Sequence, residues 1–193
     1  HGFKLNEFSE NNIEIIGDLK SKYNPLNKQP VIGVISRFTE LKGVQYIIPA
    51  FKDLLKTNPN ALLLLFNATG DYEKEIEKLL TEIPHNSYRK ILFENEITSL
   101  YRLFDVFIHV PINSSIEAFG QTYIECMASG TPLIATKSGI ANEILINREN
   151  AIIVDYKSSK EIYDAIQLLL NDSNLCNEII LNGKKVISEQ FQL

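Results

Sequence analysis

The sequence predicts an α/β fold, a parallel sheet with helices on both faces. Three observations predict it. The apolar runs Val31–Ser36, Ala61–Phe66 and Val106–Val110 have the composition of strands buried on both sides. The segments between them carry apolar residues at helical spacing among charges. Strand and helix patterns alternate at least six times, and parallel strands joined by helices satisfy that alternation.

The elements follow in order. Residues 1–29 are polar and irregular, with a short helix expected over Ile13–Tyr23 that Asn24-Pro25 ends. This stretch reads as a lead-in or linker rather than core, so the domain proper is expected over residues 30–193. After the strand at Val31, a loop from Arg37 to Gly43 leads to a helix over Val44–Lys56. Beyond Ala61–Phe66, the segment Asp71–Leu80 sets Ile76, Leu79 and Leu80 among charges, as a surface helix does. A short strand is expected over Lys90–Phe93, a short helix over Thr98–Phe104, and the strand ending at Val110. A helix over Gln121–Ser129 is stopped by Gly130 and Pro132. A strand over Leu133–Thr136, a helix over Ala141–Ile146 and a strand over Ala151–Val154 come next. Ser158 caps a helix to about Leu170, and a last helix runs from Ser173 to Glu189.

Bulk properties exclude several functions. At 193 residues and 45% hydrophobic, the chain can bury a substantial core. A net charge of -5 argues against a nucleic-acid binder, which needs clustered Lys and Arg. No window of about 18 apolar residues exists to span a membrane, and nothing resembles a signal peptide. The chain begins with His1-Gly2 rather than Met and is expected to be a piece of a longer one. Cys126 and Cys176 read as buried free thiols in helical patterns. No Cys or His spacing points to a metal, and His1, His85 and His109 are read as non-ligands.

Chemistry concentrates after two strands. Parallel sheets bind ligands at the carboxyl ends of their strands, so the loops after Ser36, Phe66, Phe93 and Val110 matter most. Glu117 and Glu125 sit eight residues apart. Glu117 falls in the loop after Val110, and Glu125 falls one turn into the next helix. The free N–H groups of Phe119, Gly120 and Gln121 should form an anion site at that helix's N-terminus, where Gly120 leaves room for a ligand. Two carboxylates flanking an anion site suit a ligand with hydroxyls on both sides of a phosphate, such as a nucleoside diphosphate sugar. In the loop after Ser36, Arg37 and Lys42 supply a planar fork and a point charge for phosphate oxygens.

These residues carry a resemblance. Arg37-x4-Lys42-Gly43, then Glu117-x7-Glu125 and Gly130-x-Pro132-Leu133-Ile134-Ala135-Thr136, resemble the retaining glycosyltransferases of the GT-B fold, family four. Ser138-Gly139 with Glu143, Asn150–Val154, and the opening His1-Gly2-Phe3-x4-Phe8 extend the match over nearly the whole chain.

The resemblance implies a Rossmann-like domain, one half of a GT-B fold. The nucleoside diphosphate sugar donor would bind here, and an N-terminal acceptor half would lie outside this chain. It implies a metal-independent hexosyltransferase needing no cofactor, with donor and acceptor half as its partners. It also implies a fragment inactive by itself. The expected work is cell-surface polysaccharide or lipopolysaccharide synthesis in the cytoplasm, at the inner face of the membrane, with any membrane contact made through the other half.

By resemblance, Glu117, Arg37 and Lys42 take the catalytic positions, Glu117 beside the transferred sugar and the cations on the diphosphate. Ala118, Phe119, Gly120, Gln121 and Thr122 line phosphate and sugar, and Glu125 accepts from ribose hydroxyls. Asn95, Glu96 and Ile97, with Leu100 and Tyr101 behind them, match the base-binding region. Two departures stand out. The usual glycine-rich turn after the second strand reads Asn67-Ala68-Thr69-Gly70, and Cys126 replaces an alanine. Asn113-Ser114-Ser115 reads as turn-forming. A non-catalytic nucleotide-sugar-binding module and a GT-B-like nucleotide-sugar epimerase are the alternatives; the pattern of a phosphorylase's cofactor lysine is not seen.

Overall fold

The structure is a computed structural model that describes residues 7, 8 and 12–191. Of the expected opening motif, His1–Phe3 lies outside the described residues, as do Gln192 and Leu193.

The described chain is a six-stranded, all-parallel sheet in the order β3-β2-β1-β4-β5-β6. Its strands are β1 (Val31–Ile35), β2 (Leu62–Phe66), β3 (Tyr88–Ile91), β4 (Val106–His109), β5 (Leu133–Ala135) and β6 (Ile152–Ile153). The helices are α1 (Ile13–Tyr23), α2 (Val44–Thr57), α3 (Glu73–Leu80), α4 (Ile97–Leu100), α5 (Gln121–Ser129), α6 (Ala141–Ile144), α7 (Ser159–Asn171) and α8 (Ser173–Gln190). Strand order reverses between β1 and β4, and ligands of such sheets bind at this switch point, outside the carboxyl ends of the strands.

The continuous apolar runs arise because successive strand residues feed two separate cores. Ile32, Val34, Leu63, Leu65, Val106 and Ile108 face a core closed by α2, α3 and α7. Val31, Ile35, Leu62, Leu64, Phe66 and Phe107 face another, closed by α1, α4, α5 and α6. The end of α8 joins this second core through Ile187. Gly33 is the exception in β1. A Cβ there would lie 2.2 Å from Phe104 Cγ, so the ring occupies the space that a side chain would take.

Three expectations need correction. The segment read as lead-in is structural: α1 forms over the expected Ile13–Tyr23, capped by Asn12, and buries Leu19 and Tyr23 in the second core. β3 is shifted toward the N-terminus from the expected Lys90–Phe93. Its ladder with β2 pairs Leu63 with Tyr88 and Phe66 with Ile91, which leaves Leu92 and Phe93 67% and 69% exposed. Cys126 is a buried free thiol as expected, but Cys176 is only half-buried. Among the described residues, no helix is long and apolar enough to cross a membrane.

Candidate functional site

The loops leaving β1 and β4 meet at the switch point. The β1 loop ends in Gly43, at φ +75°, where a Cβ would lie 2.0 Å from the Val110 carbonyl oxygen. Only glycine permits this approach. Ile112 N–H donates to the Leu41 carbonyl at 3.0 Å, which ties the two loops together. The β2 loop joins them. Phe38 N–H donates to Thr69, Tyr72 N–H donates back to Phe38, and a Cβ on Gly70 would lie 2.1 Å from the Phe38 carbonyl oxygen. Gly70, left over from an expected glycine-rich turn, is thus needed for loop packing.

Glu117 lies at the centre. Its Oε1 accepts from Lys42 Nζ at 2.7 Å and meets His109 Nε2 at 2.8 Å. Its backbone N–H donates to Ser138 Oγ at 2.9 Å. The β5 loop secures the segment further: Gly139 N–H donates to Ser114, and Ile140 N–H donates to Phe119. Gly139 has φ +57°, and a Cβ there would crowd the carbonyl oxygens of Phe119 and Glu117 at 2.7 and 2.8 Å. Burial pushes the Glu117 carboxyl up, but His109 and Lys42 outweigh it and hold the group down to about 2. It is therefore ionised at neutral pH.

Helix α5 begins beyond Gly120, which is left-handed at φ +93°. Among the described residues, the backbone N–H groups of Ala118, Phe119, Gly120, Gln121 and Thr122 have no protein acceptor. They carry the positive end of the helix dipole. One turn in, Glu125 accepts from Tyr101 Oη at 2.8 Å. Burial pushes the Glu125 carboxyl up, and the bonds from Tyr101 and Gln121 offset only part of that.

The structure thus brings Lys42, Glu117, the 118–122 backbone and Glu125 to one rim of the sheet. Arg37 lies exposed on the neighbouring β1 loop with no side-chain partner among the described residues. Two placements go beyond what was expected. Lys42, expected at a diphosphate, also donates to Glu117. Tyr101, expected near the ligand, is 0% exposed and reaches the site only through its hydroxyl. Glu96 is exposed and Ile97 half-buried, at the start of α4. Sequence reasoning passed over His109, Ser138 as a partner of Glu117, and Glu94. His109 had one usable signal, a histidine at the carboxyl end of a central apolar strand.

Known proteins resemble this chain in sequence and fold. The family profile described as glycosyl transferases group 1 matches residues 16–186. The capsular polysaccharide biosynthesis glycosyltransferase CapM of Staphylococcus aureus is 29% identical over 99% of this chain and 49% of its own length. The C-terminal domain of the group 1 family protein LpcC from Francisella tularensis is 30% identical, with a TM-score of 0.80 and full coverage of both chains. Anabaena Alr3699/HepE, solved with UDP-glucose, is 25% identical with a TM-score of 0.86, covering 98% of this chain and 52% of its own. The chain spans about half the length of the first curated relatives it matches. The profile match over most of its residues, on a sheet of the GT-B type, makes this chain a member of the group 1 glycosyl transferases.

Proposed function

We propose that this domain binds the nucleoside diphosphate sugar donor of a glycosyltransferase that transfers the sugar with retention and without a metal. One observation carries the reading: five backbone N–H groups at the start of α5, without an acceptor among the described residues, lie between two carboxylates with opposite surroundings. Glu117 is held ionised by Lys42 and His109, whereas Glu125 is half-buried against a tyrosine hydroxyl. Oxygen-rich anions bind to helix N-termini, and a carboxylate whose partners are two uncharged side chains retains lone pairs for sugar hydroxyls.

The chemistry follows. The bond from the anomeric carbon to the diphosphate oxygen breaks, and its electron pair leaves with the diphosphate. Arg37, the 118–122 amides and Lys42 stabilise the growing negative charge, in the place that a divalent cation takes elsewhere. The acceptor oxygen bonds to the same face of the sugar, and its proton passes to the departing phosphate. A carboxyl held near 2 is a weak base and a weak nucleophile. Glu117 therefore serves as fixed negative charge beside the sugar as it becomes cationic.

The acceptor would be held by a second half outside this chain, in keeping with relatives about twice its length. On its own the chain is expected to bind donor and transfer poorly. The capsular polysaccharide role in the name of one relative favours surface polysaccharide or lipopolysaccharide synthesis at the cytoplasmic face of the membrane.

Calorimetric titration with UDP, GDP and ADP tests the reading. One nucleotide should bind saturably, and Glu125→Ala should weaken it roughly tenfold or more, about 1.4 kcal/mol. One relative is named as GDP-mannose-dependent and another was solved with UDP-glucose, so the titration also identifies the base. Binding untouched by Glu125→Ala and by removal of the Arg37 charge would refute the assignment.

A further inference from the structure

Glu94 lies outside the site described so far. It is 8% exposed, directly after the two exposed residues Leu92 and Phe93. Its carboxylate has four donors from two elements. Oε2 accepts from Lys22 Nζ at 2.8 Å and from the Tyr23 hydroxyl, both at the end of α1. Oε1 accepts from the backbone N–H groups of Asn95 at 2.8 Å and Glu96 at 3.2 Å. Burial alone would push the carboxyl up, yet these donors bring it down to about 2. The charge is therefore permanent at neutral pH, and no donor is left facing an uncharged group.

The geometry joins distant parts of the chain. Lys22 and Tyr23 precede Glu94 by 72 and 71 residues. On the other side, Asn95 and Glu96 lead into α4, and α4 leads straight to Tyr101, whose hydroxyl holds Glu125. Tyr23 is itself fixed, 6% exposed and packed edge-on against Phe66 at 5.1 Å. Lys22 Nζ lies 4.9 Å from the centre of the Tyr23 ring. The five residues 92–96 between an edge strand and a single-turn helix have little packing of their own to hold one shape. Here a buried carboxylate supplies that shape and anchors it to α1.

We propose that Glu94 is a positioning residue: it clamps Asn95 and Glu96 to the end of α1 and so fixes the segment that the resemblance matches to the base-binding region. This rests on the donor-site reading above. A clamp of this kind acts on one end of the ligand only. Loosening it should impair nucleoside diphosphates and leave inorganic pyrophosphate, held at α5, almost unaffected. It also makes the shape of the loop depend on α1, the element that precedes the domain's first strand.

Two measurements on the whole chain test this, with Glu94→Ala, the milder Tyr23→Phe, and Glu94→Gln as the conservative variant. In hydrogen exchange, the amides of Asn95 and Glu96 should exchange at least about tenfold faster in Glu94→Ala and less so in Tyr23→Phe, as expected when charge-assisted bonds are lost. Glu94→Gln keeps an oxygen for both amides and should largely restore protection. In calorimetry, Glu94→Ala should weaken the bound nucleoside diphosphate roughly tenfold while pyrophosphate changes less than about twofold. Unchanged exchange at Asn95 and Glu96 would overturn the clamp. Equal losses for nucleotide and pyrophosphate would show a purely structural role and overturn the positioning. If the unaltered chain binds neither ligand, the donor-site reading fails by itself, and the exchange data still decide the clamp.

Discussion

His109 Nε2 and Glu117 Oε1 lie 2.8 Å apart, and the same Oε1 accepts from Lys42 at 2.7 Å. The histidine ends β4, the glutamate lies in the loop that follows, and the lysine comes from the loop of the adjacent strand. One carboxylate oxygen thus joins the two sides of the switch point. Tyr123 closes the arrangement from α5, its ring edge-on to His109 with centres 4.8 Å apart. The charge of Glu117 is therefore set by the fold before any ligand arrives.

That charge and the one on Glu94 predict acid sensitivity. Both carboxyls stand near 2 in the folded protein against an ordinary 4.5. Their contribution to stability is complete above about 4.5 and is lost as pH falls toward 2. Each should add up to about 1.4 kcal/mol per pH unit within that window. Glu125 acts in the opposite sense, since burial raises its carboxyl and protonation relieves it. Urea unfolding at pH 7 and pH 3 should show the loss, and Glu117→Gln or Glu94→Gln should flatten the difference.

Tyr101→Phe separates packing from hydrogen bonding. The ring keeps its edge contact with Phe107, centres 5.0 Å apart. Only the hydroxyl donor to Glu125 is removed, which leaves a half-buried carboxyl with Gln121 as its partner. We expect a loss of about 0.5–1.5 kcal/mol in unfolding free energy. The Glu125 carboxyl should also titrate at a higher pH, as followed by NMR of the labelled side chain.

Gly43→Ala tests the close approach of the two loops. The new methyl would face the Val110 carbonyl oxygen at 2.0 Å, with φ at +75°. Backbone on both sides leaves nothing flexible to yield. The variant should lose at least about 2 kcal/mol of stability, read by chemical denaturation, because strain and overpacking add.

Arg37→Ala should do the reverse. The side chain is exposed and makes no bond among the described residues. Stability should stay within about 0.5 kcal/mol of the parent. Affinity for the nucleoside diphosphate, measured by calorimetry, should fall by about 1.5–3 kcal/mol as a charged hydrogen bond is lost.

The sequence by itself determined the α/β architecture and where most elements lie. Periodicity is a local signal: a strand buried on both faces must be apolar at every position, as Val31–Ile35 and Leu62–Phe66 are. Glycines at Gly43 and Gly120 mark backbone that other residues resist, which is why the loop after β1 and the start of α5 were legible. Edge strand β3 was misread because Leu92 and Phe93 are apolar yet lie beyond the ladder with β2. The tertiary structure alone decided the pairings. Lys42 faces Glu117 across 75 residues, and Glu94 meets Tyr23 across 71. Such contacts depend on strand order, and the β4–β1 adjacency that creates the first of them leaves no periodic trace in the chain. The role of α1 followed the same rule, since a polar, weakly patterned segment shows that it is core only when its few apolar residues find the sheet.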